Sequence, residues 1–268
     1  MANKNQSEMQ QLRESAALKI LEMYKRANAG HIACSLSCLE ILLETEINQM
    51  TKEDVFILSK GHAAAALYVV HSMSGRLDPQ LLDTFYRDGT HLAAHPPCSG
   101  TIASIPFGTG SLGHGLSLAT GTAFSTRFTK KNKQVFCVLS DGDCNEGSTW
   151  EAILFAAHHT LANLTVIIDA NGVQGLGKSE DVLSLESLSE KFKSFGFAVS
   201  EAANGNSFVD LSTAFQKLQQ TTDRPKCLIA RTTKGHSINY MANTVEWHYL
   251  PMSDEQYQLA VTQTKAHK

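Results

Sequence analysis

The sequence predicts an α/β fold, a mostly parallel sheet with helices on both faces, and two patterns carry that prediction. Short β-rich runs recur at 55–58 (VFIL), 135–139 (VFCVL), 164–169 (LTVIID), 197–200 (FAVS) and 226–231 (KCLIAR). Stretches of helical character separate them, at 111–128, 145–160, 185–195 and 207–219. Strand and helix alternating in this way is the pattern of βαβ units. Ahead of the first strand, Met9, Leu12, Ala16, Ile20, Met23 and Ala27 recur at three- and four-residue spacing and predict an amphipathic helix over 8–27. Ser37-Cys38-Leu39-Glu40, set before ILLETEI, has the form of a capping box at a second helix start.

The bulk properties are those of a globular protein. With 268 residues, 43% of them hydrophobic and 18% charged, the chain can bury a core without disulfide or metal staples. No internal repeat or linker tract divides it, so one domain over 1–268 is expected. A net charge of -3 and a pI near 6.4 provide no general attraction to nucleic acid or to anionic lipid. The six cysteines include no CxxC pair, and Cys137 falls inside a strand run, so reduced, packed thiols are expected. The N-terminus has no apolar signal core, and the longest apolar run, Ala63 to Val70, is too short to span a bilayer. A cytoplasmic protein is expected, with neither membrane nor nucleic acid as a partner.

In parallel sheets ligands bind beyond the carboxyl ends of the strands, so the loops there are the place to look for chemistry. The loop after VFCVL reads Ser140-Asp141-Gly142-Asp143-Cys144-Asn145-Glu146-Gly147 and opens a helix. An acid followed by glycine can ligate a divalent cation while backbone amides and the helix N-terminus hold an anion. The next strand ends in Asp169-Ala170-Asn171-Gly172-Val173. Adjacent parallel strands would bring the two loops together. The Asp141 carboxylate, the Asn171 side-chain oxygen and a backbone carbonyl near Val173 would then form a hard-oxygen set suited to Mg²⁺ or Ca²⁺, with a diphosphate as the natural guest. Each dipeptide alone could be a plain turn; the pairing at consecutive strand ends favours the ligand site.

A second glycine run, Gly108-Thr109-Gly110-Ser111-Leu112-Gly113, formally matches GxGxxG and precedes a helix. It leaves open a nicotinamide-dependent oxidoreductase, with Asp141 at the end of the following strand as the ribose-binding acid. Against that reading, the preceding segment TIASIPF contains a proline and little strand character.

The paired loops resemble the thiamine diphosphate signature, in which GDG is followed about thirty residues later by an asparagine at a strand end. The text DGDCNEGSTWEAILFAAHHTLANLTVIIDANGVQG resembles transketolases in particular. Ser140 stands where the first glycine of GDG is usual, and serine does not reach positive φ cheaply. The resemblance extends over about residues 20–250 and implies a thiamine diphosphate-binding domain of the type that grips the cofactor's diphosphate. It places Asp141, Asn171 and Val173 on Mg²⁺, and Gly142, Asp143 and Glu146 on the cofactor side of the loop. Glu146 also matches a glutamate at the family's subunit contact, although it could equally be a first-turn acid complementing the helix dipole. FGTGSLGHGLSLATG resembles the segment beside the cofactor rings, where the Gly110 backbone would accept from the aminopyrimidine and Leu112 would line the bend. His114 stands where glutamine is common.

Three histidines sit in segments similar to those of transketolases: Gly30-His31-Ile32-Ala33-Cys34, Ser59-Lys60-Gly61-His62 and Ala94-His95-Pro96. By position, His31 would serve the C3 or acceptor oxygen, His62 would lie near the diphosphate, and His95 would bind the C1 hydroxyl. The distal histidine of the family matches His248 in EWHY or, less well, His236, with Tyr249 in place of the usual glycine. GHIAC likewise replaces the common GHxGG. Neutral imidazoles near pH 7 can take and return protons and hold sugar hydroxyls, as two-carbon ketol transfer requires.

The resemblance covers only the N-terminal half of a full transketolase. It therefore implies a split enzyme whose C-terminal partner carries the pyrimidine-binding domain, assembled as two copies of each and acting on sugars or sugar phosphates. A non-catalytic homologue that keeps the fold is a further alternative, suggested by Ser140 and GHIAC.

Overall fold

The structure is a computed structural model that describes residues 4–129 and 133–267. Helix α1 (Gln6–Ala27) covers the predicted amphipathic segment and starts at a capping box of Asn5 and Glu8. Two short helices follow, α2 (Ile32–Ser37) and α3 (Leu39–Leu43). The capping box expected at Ser37 is absent. Ser37 lies inside α2, and its hydroxyl donates to the buried Asp169 carboxylate at 2.8 Å instead of capping α3. Donating to a buried carboxylate is a stronger hydrogen bond than accepting from a backbone amide at a helix start.

The chain then runs β1 (Val55–Leu58), α4 (Ala64–Met73), α5 (Gly115–Thr129), β2 (Val135–Ser140), α6 (Gly147–His158) and β3 (Leu164–Ala170). It continues through α7 (Ser179–Leu183), α8 (Leu188–Ser194), β4 (Ala198–Ala202), α9 (Phe208–Gln219), β5 (Lys226–Arg231) and α10 (Asp254–Ala266). The five strands pair in the order β1-β2-β3-β5-β4, all parallel. The expected α/β class is therefore the observed one. Each of the five β-rich runs forms a strand; β2 and β3 run one residue past their predicted ends, and β4 starts one residue later and ends two residues later than predicted.

Alternate residues of each strand enter two separate cores. Phe56, Leu58, Phe136, Val138, Ile167 and Leu228 pack under α1, α4 and α9. Ile57, Cys137, Leu139, Val166, Ile168 and Ile229 pack under α5, α6 and α8. The period-two alternation of the pleat thus buries both faces, as a parallel sheet covered on two sides requires. Five of the cysteines are buried and all six are free, as expected of packed thiols. No helix among the described residues is long and apolar enough to cross a membrane.

Register places the functional loops side by side. Ser140 pairs with Asp169 at the carboxyl ends of β2 and β3, so Asp141 and Asn171 emerge next to each other. The Gly172 amide donates to the Asp141 carboxylate at 2.7 Å and ties the two loops together.

Candidate active site

At the carboxyl edge of the sheet a cavity of about 320 Å³ is lined by His31, His62, His95, Asp141, Asn171 and His248, with Gly110, Leu112, Gly142 and Val173 among its other walls. These residues come from six separate connections between elements. The ring of His31 is central, with centroids 5.0 Å from His248, 5.8 Å from His62 and 5.9 Å from His95. His248 and His62 lie 5.4 Å apart.

His31 takes a left-handed backbone conformation (φ 70°), which costs a residue bearing a Cβ about 1–2 kcal/mol. The surrounding contacts hold it there. Its amide donates to the His248 carbonyl at 3.1 Å, and a Cβ on the preceding Gly30 would meet the Tyr249 carbonyl oxygen at 2.4 Å. Glycine at position 30 lets the first loop approach the last.

Burial lowers the pKa of all four imidazoles. His31 is brought down to about 4, with His95 and Lys234 adding to the effect, and His248 to about 3, with Lys234 as the next cause. His62 lies well below its ordinary value through burial and then Lys60, and His95 lies below through burial. At neutral pH the cluster is uncharged. The Lys234 Nζ lies 3.1 Å from His248 Nδ1 and donates to the Val173 carbonyl at 3.2 Å. An ammonium can only donate, so Nδ1 of His248 accepts and its Nε2 carries the proton. Cys34 Sγ stands 3.5 Å from the same Nδ1.

Asp141 is buried and holds the Gly172 amide and the Ser179 hydroxyl on one carboxylate oxygen. Burial lifts its carboxyl to about 6 against these hydrogen bonds. Asn171 Oδ1 accepts from the Val173 amide at 3.0 Å, and its amide nitrogen donates to Ser37. Beneath this loop Asp169 is buried against Lys60, Ser37 and Thr232. Burial works against the Lys60 charge; Asp169 outweighs it and holds the ammonium above its ordinary range.

Two residues grouped with the cofactor loop in the sequence lie elsewhere. Asp143 is fully buried, accepting from the Ser59 hydroxyl at 2.6 Å, the Gly113 amide at 2.8 Å, and the Ser140 amide and hydroxyl at 2.8 and 2.9 Å. All its acceptor capacity is spent holding three loops in place. Glu146 is exposed at the start of α6, outside the cavity wall. Ser140 needs no positive φ, because it ends β2 in strand conformation and its hydroxyl closes the turn on Asp143. His236 stands 3.1 Å from His267 and 3.7 Å from Glu40, away from the cavity, so of the two distal candidates only His248 lines it.

The glycine run from Gly108 to Gly113 follows an isolated bridge between Ile102 and Ile105, not a sheet strand. It lacks the strand-to-helix turn that a dinucleotide fingerprint needs. It packs instead against the histidine loops: a Cβ on Gly61 would meet the Gly110 amide at 2.8 Å, and one on Gly110 would meet His95 at 3.1 Å.

Sequence reasoning gives Lys234, Cys34 and Tyr249 no role in the site. Lys234 carried a usable signal, since TTKGHS directly follows β5, where a strand's ligand-binding loop begins.

A family model described as the transketolase thiamine diphosphate binding domain matches residues 17–266. One subunit of an apulose-4-phosphate transketolase from Phocaeicola vulgatus is 36% identical over 252 residues, 91% of this chain and 89% of that protein. One subunit of a 6-deoxy-6-sulfo-D-fructose transketolase from a Clostridium species is 29% identical, again over 91% of both chains. Human transketolase is 31% identical over 264 residues, covering 92% of this chain but 41% of that protein. In fold, a transketolase from Campylobacter jejuni superposes with a TM-score of 0.88 at 24% identity, over 98% of this chain and 43% of its own length. The chain thus spans about two fifths of a solved transketolase and nearly all of the two bacterial relatives that are themselves single subunits. By its sequence the chain belongs to the transketolase family, as the N-terminal, thiamine diphosphate-binding part.

Proposed function

We propose that the chain is the diphosphate-gripping subunit of a heteromeric transketolase, moving a two-carbon ketol unit from a ketose to an aldose together with a pyrimidine-binding partner. The observation that carries this reading is the single cavity shared by four neutral imidazoles and the Asp141–Asn171 loop pair.

The donor set suits Mg²⁺. One carboxylate, one amide oxygen and one carbonyl are too few to hold the ion alone, and Mg²⁺ commonly completes its shell with phosphate oxygens and water. A cation there would also hold Asp141 ionised against the cost of its burial. Asp141, Asn171 and the Val173 carbonyl would take the ion, with Lys234 and His62 positioned for the diphosphate. Such binding would require Asn171 Oδ1 and the Val173 carbonyl to exchange their present partners for the ion. The Gly110 backbone and Leu112 would meet the rings. Thiamine diphosphate, when bound, supplies the nucleophilic carbon that attacks the ketose carbonyl.

The protein's own residues manage protons and hydroxyls. The Nε2–H of His248 is a hydrogen-bond donor with its tautomer set by Lys234. His31, neutral and central among the rings, can take the proton of the donor's C3 hydroxyl as the C2–C3 bond breaks and return it to the acceptor's oxygen. His95, which packs against Gly110, would bind the C1 hydroxyl. Phosphorylated ketoses are the proposed donor class, since the relative from Phocaeicola vulgatus is named for a sugar phosphate.

The test is reconstitution with the partner subunit, thiamine diphosphate and Mg²⁺, reading ketol transfer between a ketose phosphate and a short aldose. Transfer that needs both chains, the cofactor and the ion is expected. Absence of transfer in a complex shown to bind the cofactor would rule the reading out.

A further inference from the structure

Tyr249 lines the cavity while remaining exposed, at its mouth, and Gly175 is matched to its side chain. Its hydroxyl donates to the Gly175 carbonyl at 3.0 Å, linking the loop after residue 246 to the loop after β3. A Cβ on Gly175 would lie 2.5 Å from that hydroxyl, so the link needs a glycine there. The backbone of residue 249 is held close to Gly30, where a Cβ would meet its carbonyl oxygen at 2.4 Å, whatever side chain residue 249 carries. The ring packs against His248 with centroids 4.9 Å apart, yet Tyr249 remains 58% exposed. Together with Gln174, Gly175 and Leu176 it forms one wall of the cavity, and His31, Cys34 and His248 lie on the same cavity's lining.

From this arrangement we infer that Tyr249 is a size gate on the cavity, pinned at its hydroxyl end to Gly175, which restricts the enzyme to aldose acceptors with short carbon chains. A phenol fixed at both ends is a rigid obstacle: the backbone is wedged at Gly30 and the hydroxyl is latched at Gly175. Glycine at this position would leave the mouth open. A bulky side chain therefore discriminates by excluding longer guests, without adding a contact to shorter ones. The inference rests on the ketol-transfer reading for the identity of the guest, and on the geometry alone for the existence of the gate.

Two measurements separate those dependences. In the reconstituted heteromer with thiamine diphosphate and Mg²⁺, kcat/KM is compared for aldose acceptors of two and of five carbons. Tyr249→Gly should raise the five-to-two-carbon ratio at least tenfold, and Tyr249→Phe, which keeps the ring but loses the latch, should raise it by less. An unchanged ratio in Tyr249→Gly overturns the inference. The second measurement needs no turnover. In the full chain carrying Cys98→Ser, which removes the exposed thiol, Cys34 inside the cavity reports on access. Iodoacetamide and a bulky aryl maleimide are compared by peptide mass spectrometry at pH 8.5. Tyr249→Gly should accelerate the bulky reagent at least fivefold relative to the small one, and equal acceleration of both overturns the gate. An opened gate with no ketol transfer in any variant would refute the transketolase reading and the sugar specificity while leaving the gate standing.

Discussion

The amide of His31 donates to the carbonyl of His248 at 3.1 Å, joining a loop near the start of the chain to one near its end. Gly30 makes this approach possible, since a Cβ there would sit 2.4 Å from the Tyr249 carbonyl oxygen. The obstacle is backbone, which cannot rotate away. Gly30→Ala should therefore cost about 1–3 kcal/mol of stability through overpacking and part the two histidine loops. Urea unfolding should show the loss, and transfer activity in the reconstituted enzyme should fall at least tenfold.

Asp141 supplies the one carboxylate of the proposed Mg²⁺ set. Asparagine in its place still accepts from the Gly172 amide and the Ser179 hydroxyl, so the fold should persist. What disappears is the formal charge facing the ion. Asp141→Asn should weaken Mg²⁺-dependent thiamine diphosphate binding by at least a hundredfold, read by calorimetry on the complex with the partner subunit. Chelating the metal from the wild-type complex should produce the same loss. Mg²⁺-dependent binding that survives in the variant would remove Asp141 from the ligand set.

Under the cofactor loop, Lys60 and Asp169 form an ion pair whose members are both almost fully buried. Removing one charge leaves the other desolvated without a partner, a loss of about 3–5 kcal/mol in comparable buried pairs. Asp169→Asn should show that loss in denaturant unfolding, and it should also loosen Ser37, Thr232 and Asn171, which share the carboxylate. Adding Lys60→Met to Asp169→Asn should recover part of the lost stability, because the stranded ammonium is then gone. A double variant no more stable than Asp169→Asn would mean that the hydrogen-bond network, and not the charge pair, holds the loop.

The sheet was legible because its signal is local. Runs such as VFCVL and LTVIID carry enough β-branched and apolar side chains to fill both cores, and their loops begin with residues that cannot continue a strand. Asp141 and Asn171 were legible for the same reason, each standing directly after a strand, whereas His31, His62 and His95 were legible through segments that resemble those of transketolases. The remainder depends on contacts distant in sequence. Ser37 looks like a cap until Asp169 arrives from β3 to take its hydroxyl. Asp143 reads as a cofactor ligand, but Ser59 and Gly113 fold over it from loops elsewhere in the chain. Lys234 and Tyr249 gain their places only when the segment after β5 closes over the first loop. Helix α4 was visible only as the apolar run from Ala63 to Val70, since a helix buried on nearly all sides has no polar stripe to reveal its period.

The histidine cluster should make the fold sensitive to acid. His31 and His248 have pKa values of about 4 and about 3 in the folded chain, against an ordinary 6.5. The unfolded chain therefore binds protons more readily than the folded one below pH 6.5, and each depressed imidazole favours unfolding as the pH falls. Their contribution is fully present above pH 6.5 and is lost progressively toward pH 4 for His31 and pH 3 for His248. Melting temperature should decline from pH 7 to pH 5, and His248→Asn should make that decline shallower, since asparagine takes up no proton. Lys234→Met isolates the electrostatic part. It removes the cation 3.1 Å from Nδ1, so the His248 pKa should rise, yet burial is the larger cause and should keep it below 6.5. Proton NMR titration of the His248 ring checks the direction. A pKa unmoved by Lys234→Met would mean that Lys234 does not set the His248 tautomer, and the donor role assigned to Nε2–H would fall with it.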